Sequence, residues 1–281
     1  MFRRGGRVRP LRGAAVDPAL SLALEEPVLN TLGGARLAEL ARAGSTAAEF
    51  SVLGEDDAPE GLLWHGVNLS PLGAGTEALE EFGRHLAGRS RRSSSVVGPR
   101  QAVEAMWAPM APTWAGQVRE YRWSQPLLVA DETPAALADV GLRRARPGEE
   151  SAVFPAAVAM FREEVGADPT RGDGGRSYGN RVTELIRAGR TYVVMHDGLV
   201  LFKADVGAIF GPVAQVHGVW VRPGHRSRGL GRAAMAQLVS QVRADLAPQV
   251  SLYVNDFNEP ARRAYAAAGF HEAGELSTIL F

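Results

Sequence analysis

The residues of this chain most suited to chemistry lie in a short basic segment, residues 219–232, between a strand pattern and a helix pattern. Val219, Trp220 and Val221 favour a β-strand, and Pro223 ends that pattern. From Leu230 onward, apolar residues recur with the period of a helix. The order predicts a strand, a loop and the start of a helix in immediate succession.

Glycines and arginines fill the loop of this segment. Gly229 and Gly231 lack a β-carbon, so a ligand can approach the backbone closely. The first N–H groups of a helix have no partner within the helix and attract anions. Arg226, Arg228 and Arg232 add positive charge. The segment therefore predicts a site for a pyrophosphate or a similar polyanion.

Two other phosphate-binding loops also place glycines between a strand and a helix. A P-loop needs Gly-Lys followed by Ser or Thr, but the only lysine of the chain is Lys203. The dinucleotide pattern G-x-G-x-x-G does not occur in the segment either. The remaining alternative is an ordinary turn with solvated arginines.

The pattern V-x-P-x-x-R-x-x-G-x-G resembles the coenzyme A loop of the GNAT acyltransferases, and Val221, Pro223, Arg226, Gly229 and Gly231 form it. The resemblance implies an α/β fold with a mixed sheet, acetyl-CoA as acyl donor and no metal. The residues it assigns to cofactor binding are Val219, Trp220, Val221, Arg226, Ser227, Arg228, Gly229, Leu230, Gly231, Arg232 and Asn258.

A second segment, residues 252–270, supports this resemblance. Asn258 is a good helix N-cap, Pro260 suits the first turn, and Gly269 suits the end of the helix. In the second GNAT signature an asparagine precedes a helix that carries a tyrosine and closes with Gly-Phe. The resemblance thus implies that Asn258 contacts the cofactor and that Tyr265 is the general acid. The spacing of Tyr265 from neighbouring alanines also fits a ring that faces the core.

The implied reaction is direct attack of an amine on the thioester carbonyl, which needs a base. Many GNAT proteins use a glutamate on the strand before the loop or on the next strand, where this sequence has Gln215, His217 and Tyr253. His217 titrates in the right range and is the predicted base, although a hydrogen-bonded strand histidine is an equal alternative. The pair Glu163 and Glu164 is near the acceptor side, but a solvated helix face is the favoured interpretation.

Composition bounds the remaining possibilities. The chain has 281 residues, zero formal net charge and no cysteine. These values suggest one large domain or two ordinary ones, and they exclude disulfides, cysteine-ligated zinc and a cysteine acyl-enzyme. We expect a cytoplasmic protein that binds neither nucleic acid nor membrane. Its expected partner is a small-molecule or peptide amine, and the oligomeric state is not predicted.

The order of predicted elements indicates two parts. We expect a disordered basic tail over residues 1–20, an accessory domain over 21–130 and a GNAT acetyltransferase domain over 139–281. From residue 140 the strands and helices follow the GNAT order, and Gly218 suggests a bulge where two parallel strands part. The first part is interpreted as a degenerate copy of the same fold, with a helix-rich cap as the alternative.

The sequence therefore predicts an N-acyltransferase with an unidentified acceptor, whose pocket the glycine-rich residues 166–180 would shape. The competing hypothesis is a sensor or structural module that binds acyl-CoA without turnover. The missing strand glutamate favours that alternative, and Tyr265 counts against it.

Overall fold

The same order of strands and helices occurs twice along the chain. The computed structural model describes residues 8–135 and 138–281. The first half runs β1 (Arg9–Pro10), α1 (Val16–Glu25), α2 (Pro27–Arg42), β2 (Phe50–Gly54), β3 (Pro59–His65), β4 (Asn68–Leu72), α3 (Thr76–Ala87), β5 (Ser95–Pro99), α4 (Arg100–Trp114) and β6 (Glu120–Ala130). The second half runs β7 (Arg143–Arg144), α5 (Glu150–Val165), α6 (Arg176–Arg187), β8 (Thr191–His196), β9 (Leu199–Phe210), β10 (Val213–Val221), α7 (Leu230–Asp245), β11 (Gln249–Tyr253), α8 (Glu259–Ala267) and β12 (His271–Leu280).

All of these strands belong to one 12-stranded sheet, in the order β1-β2-β3-β4-β5-β12-β6-β11-β10-β9-β8-β7. Within each half the first four strands pair antiparallel, and a helix then crosses over to a parallel strand. Such a crossover is needed because a short hairpin cannot join parallel strands. The mixed sheet confirms the predicted α/β fold class.

The two halves exchange their last strands. β6 lies between β11 and β12, with Val250 opposite Ala130. β12 in turn pairs with β5, with Leu276 opposite Pro99. The predicted boundary between residues 130 and 139 therefore falls in a connection, but each half completes the sheet of the other.

The helices bury their apolar faces on both sides of this sheet. On one side α7 and α8 cover the second half, with Met235, Leu238 and Ala268 fully buried. On the other side α5 and α6 enclose a smaller core around Val153. The first half has corresponding cores below α3 and α4 and below α1 and α2.

Helix α2 also joins the two halves. A β-carbon at Gly34 would lie 2.5 Å from the ring of Phe210 on β9, so glycine permits the close approach. This packing and the strand exchange make the first half an integral part of the sheet. Its strand content supports the interpretation as a degenerate copy rather than a helix-rich cap.

The prediction of a tail over residues 1–20 is wrong for residues 8–20. β1 pairs with β2, and α1 begins at Val16. Leu11, Ala15 and Ala19 are fully buried against Phe50. Hydrophobic burial outweighs the basic composition here, and residues 1–7 lie outside the described residues. Among the helices of the described ranges, none is long and apolar enough to cross a membrane.

Candidate active site

The parallel strands β10 and β11 part from one another after a short stretch of pairing. They pair at Val213, Ala214 and Gln215, which lie opposite residues 249–251. Beyond Gln215 no residue of β10 is opposite a residue of β11. An opening between the strands follows, and its edges carry backbone groups that a ligand can bind.

A bulge in β10 lies at the edge of this opening. Pairing of β10 with β9 shifts between His217 and Trp220, so Gly218 and Val219 lie opposite no residue of β9. Gly218 has φ +60°, and a β-carbon there would lie 2.8 Å from Cε of Met160 on α5. Only glycine suits both restraints. The bulge predicted at Gly218 is confirmed.

The loop after β10 leads into a helix start with free N–H groups. Ser227 and Gly229 have positive φ values of 59° and 83°. The first hydrogen bond of α7 runs from Ala233 N to Gly229 O at 3.1 Å. The amides of residues 230–232 therefore have no acceptor within the helix, and its first turn carries no acidic side chain. This geometry fits the anion site predicted from the sequence.

The three arginines of the loop differ in their contacts. Arg226 Nε donates to Val221 O at 2.8 Å, and its Nη2 pairs with the Glu163 carboxylate at 2.6 Å. Among the described residues none forms an ion pair or hydrogen bond with Arg228 or Arg232. These two side chains are the ones available to phosphate groups, whereas Arg226 braces the loop.

Trp220 contributes only backbone to the predicted cofactor site. Its side chain is 6% exposed, packs in the core below α5, and donates from Nε1 to Glu163 at 3.1 Å. Arg222 N donates to Leu201 O at 2.8 Å. Since backbone groups alternate along an antiparallel ladder, the backbone of Val221 points away from β9, toward the opening.

Asn258 and the apolar residues of the loop occupy structural positions as well. Asn258 Oδ1 accepts a hydrogen bond from Ala261 N at 3.3 Å, which confirms the predicted N-cap of α8. Val219, Val221 and Leu230 pack at the margin of the core below α7. Gly231 allows α7 to approach β10, because a β-carbon there would lie 3.3 Å from Val221 Cγ2.

Tyr265 lies in α8 with its ring in the core below α7 and its edge on Phe270, with 5.9 Å between the ring centroids. Only 8% of the residue is exposed. Burial raises the pKa of the Tyr265 hydroxyl, and the negative charge of Glu164 adds to this effect. The hydroxyl therefore stays protonated at neutral pH.

His217, the predicted base, lies on β10 next to the bulge. Its Nε2 is 2.9 Å from Gln215 Oε1, and its ring contacts Tyr253 with 6.2 Å between the centroids. Burial lowers the pKa of His217 to about 4, although the negative charge of Asp205 opposes the change. The imidazole is thus neutral at pH 7 but a weak base.

Glu164 lies on the helix face that the sequence interpretation expected to be solvated. It belongs to the last turn of α5 and is exposed to solvent. Desolvation by the surrounding protein raises its pKa to about 7, and the charges of Lys203 and Arg122 oppose the shift. In the sequence, the feature that points to Glu164 is its position four residues after Met160, because residues four apart lie on the same face of a helix.

The first half contacts the carboxyl end of α5. Arg122 Nη2 of β6 donates to Glu164 O at 2.7 Å, and Nη1 of Arg119, the residue before β6, donates to Val165 O at 2.6 Å. These bonds hold the carboxyl end of α5, which precedes the glycine-rich loop. No three His, Cys, Asp or Glu residues in the described ranges are grouped so as to hold a metal ion.

The fold of the chain is shared by solved acetyltransferases. Residues 161–270 match the model of the acetyltransferase (GNAT) family, and residues 48–153 match a domain of unknown function, DUF4081. The match places a GNAT-family domain in the carboxyl-terminal half of the chain, as the loop motif predicted. Enzymes of this family use acetyl-CoA.

Known proteins resemble the chain over nearly its whole length. A mycothiol acetyltransferase of Clavibacter sepedonicus is 27% identical over 274 residues, which cover 84% of this chain and 87% of that protein. A GNAT-family acetyltransferase from Colwellia psychrerythraea has the same fold with a TM-score of 0.59, at 13% identity over 98% of this chain and 99% of that one. A tandem GNAT protein from the clavulanic acid biosynthesis pathway gives a TM-score of 0.51, at 16% identity over 97% of each chain.

Proposed function

We propose that this protein transfers an acetyl group from acetyl-CoA to an amine by direct attack in a ternary complex. The observation that carries the proposal is the opening between β10 and β11, with the free helix start of α7 beside it. A pyrophosphate at the amides of residues 230–232 would direct the rest of the donor along this opening.

Acetyl transfer to an amine requires three contributions from the protein. Charge that develops on the thioester oxygen needs a backbone donor, and for this we propose the N–H group of Val219, which lies in the bulge opposite no residue of β9. The departing thiolate needs a proton, for which Tyr265 is the donor we propose. The attacking amine must lose a proton, because a lysine-like amine has a pKa of about 10.

The acceptor that we propose is an amine of a small molecule or of a peptide. The similarity to a mycothiol acetyltransferase adds the acceptor of that enzyme to the candidates. The acceptor would enter beside the carboxyl end of α5, where residues of both halves meet. The cytoplasmic location remains a prediction.

The test is release of free thiol from acetyl-CoA in the presence of a panel of amines. The panel holds amino sugars, polyamines, peptides with a free N-terminus, and the acceptor of mycothiol acetyltransferase. We expect thiol release that depends on one class of amine, with one acetylated amine formed for each thiol.

The competing hypothesis, a sensor that binds acyl-CoA without turnover, predicts a different result. Calorimetry would then find tight binding of acetyl-CoA, while no amine accelerates thiol release. The missing glutamate on β10 and the low pKa of His217 are the observations that keep this alternative in the test.

A further inference from the structure

We infer that Glu164 at the end of α5, rather than His217, takes the proton from the acceptor amine. The inference rests on the proposed function and names a further catalytic residue for it. It begins from where α5 meets the bulge of β10.

Met160 fixes the position of Glu164 relative to the opening. A β-carbon at Gly218 would lie 2.8 Å from Met160 Cε, so this face of α5 lies directly on the bulge. Residues four apart lie on one face of a helix, one turn from each other. Glu164 is therefore on the same face as Met160, one turn nearer the end of the helix.

Contacts from two sides hold this last turn in place. Arg122 of β6 donates to the carbonyl group of Glu164 at 2.7 Å, and Arg119, just before β6, donates to that of Val165 at 2.6 Å. On the other side, the Glu163 carboxylate accepts from Trp220 and Arg226. The two neighbouring glutamates thus differ, since none of the described residues donates a hydrogen bond to the carboxylate of Glu164. An acceptor ammonium can bind there.

The titratable groups that interact with Glu164 lie on six elements around it. The charge of Glu164 raises the pKa of Tyr265 on α8 and of Tyr253 on β11. The groups that interact with the carboxylate are Lys203 of β9, Arg122 of β6, Glu163 of α5, Tyr178 of α6, Tyr253 and Tyr265. The carboxylate is thereby electrostatically coupled to the proposed acid and to β11, one of the two strands that part.

The two candidate bases differ in their ability to hold a proton at neutral pH. Desolvation raises the pKa of Glu164 to about 7, whereas burial lowers the pKa of His217 to about 4. A base is most effective when its pKa lies near the working pH. With its pKa raised toward neutrality, Glu164 can both accept and release a proton near pH 7.

The acceptor ammonium gives one proton to the Glu164 carboxylate, and the neutral amine attacks the thioester carbon, where a C–N bond forms. The C–S bond then breaks, and the thiolate takes a proton from Tyr265, which the nitrogen of the intermediate restores. Glu164 releases its proton to solvent, so the products are an N-acetyl amine and free CoA.

The first experiment needs no acceptor. In protein labelled with carbon-13 at the glutamate δ-carboxyl, we expect one resonance to titrate near pH 7 and to be absent in Glu164→Gln. The control is Glu184→Gln, an exposed carboxylate of α6 without an ion pair among the described residues, which should leave that resonance in place. Titration of Glu164 near the ordinary value of about 4.3 would overturn the inference and leave the proposed function untouched.

The second experiment follows kcat/KM against pH with acetyl-CoA and the best amine of the panel. As pH falls through about 7, Glu164 gains a proton, so kcat/KM should fall on the acid side. Glu164→Gln should lower kcat/KM by about 100-fold or more and remove this limb, with affinity for acetyl-CoA unchanged. Glu164→Asp should keep the limb at reduced rate, and Glu184→Gln should match the unaltered protein.

His217→Gln is the deciding comparison. We expect this variant to keep the acid limb, because its imidazole does not titrate near pH 7. Loss of the limb in His217→Gln with its retention in Glu164→Gln would assign the proton to His217 and overturn the inference. If no amine in the panel releases thiol, the proposed function fails and the inference falls with it.

Discussion

Tyr265 combines an observed packing role with the chemical role that we propose for it. Its ring belongs to the core below α7 and contacts Phe270, while its hydroxyl responds to the charge of Glu164. The two interpretations that the sequence left open are therefore not exclusive. The helical spacing indicated the buried ring, and only the family motif pointed to the hydroxyl.

Tyr265→Phe separates the two roles, because phenylalanine keeps the ring and removes the proton. We expect kcat to fall about tenfold to a thousandfold, the range of general acid catalysis. Affinity for acetyl-CoA, measured by calorimetry, should stay the same. Tyr121→Phe, at a tyrosine that is 42% exposed in the first half, should leave kcat unchanged. Full activity of Tyr265→Phe would reduce Tyr265 to a packing residue.

Gly229 allows a test of the anion site with two substitutions of equal size. Asp and Asn both tolerate the left-handed conformation required at φ 83°, and a β-carbon there meets little more than Arg232 Nη2 at 3.8 Å. Only Gly229→Asp places a negative charge at the positive end of α7. We expect calorimetry to give at least tenfold weaker CoA binding for Asp than for Asn. Equal affinities would argue against pyrophosphate at this helix.

At the scale of single elements, β9 carries an ion pair in the interior. Lys203 is 1% exposed, and its Nζ pairs with Asp205, which also accepts from Thr191 Oγ1 at 2.8 Å. A buried pair offers little net stability, but removal of one partner leaves the other charge without compensation. The pair lies below the bulge, since a β-carbon at Gly218 would be 3.5 Å from Lys203 Nζ.

We therefore expect Asp205→Asn to lower the free energy of unfolding by about 3–5 kcal/mol. Lys203→Met together with Asp205→Asn should cost less than Asp205→Asn alone, because no unpaired ammonium remains. Urea denaturation of the single and double variants measures both effects as a double-mutant cycle. Additive losses would mean that the two side chains are not coupled.

The local pattern of apolar and turn-forming residues in the sequence predicted most strands and helices of the second half. The predicted strand over residues 213–221 has the bounds of β10, and the predicted start of α7 at Leu230 is that of the structure. The amino-terminal elements were missed because arginines dominate residues 1–12. A signal was present, since Leu11, Ala15, Ala19 and Ala23 recur every four residues and all are fully buried.

The exchange of β6 and β12 is a property of the whole molecule that no local pattern contains. The sequence of each strand has the pattern of an ordinary apolar strand, and each pairs with a strand more than 100 residues away along the chain. The position of Glu164 in the site has the same origin. Its environment is made by β6 of the first half and by β9, β11 and α8 of the second, which only the folded sheet brings together.

The repeated order of elements raises the question of a second donor site between β4 and β5. Those strands pair at Asn68 and Leu69, but the gap beyond is closed. Pro71 Cδ lies 3.2 Å from the β-carbon position of Gly98. The loop before α3 is equally occupied, since Gly73 packs on Leu22.

Charge also separates the two halves. The start of α3 is followed by Glu77, Glu80 and Glu81, and the last two pair with Arg84. Carboxylates at the positive end of a helix take the place that a phosphate would occupy. The corresponding turn of α7 carries Arg232 and no acidic side chain. We therefore expect the first half to complete the sheet and the acceptor side without binding a donor of its own.

We accordingly expect one CoA per chain. Native mass spectrometry of the full chain with excess CoA should give a single added ligand, and Gly229→Asp should give none while Gly229→Asn keeps it. The full chain is required because a fragment cut at residue 139 would lose β6 and leave β11 and β12 without the strand between them. A second bound CoA, or a CoA that stays bound in Gly229→Asp, would place a donor site in the first half. Either result would contradict the conclusion, based on Pro71 and the carboxylates of α3, that only the second half binds CoA.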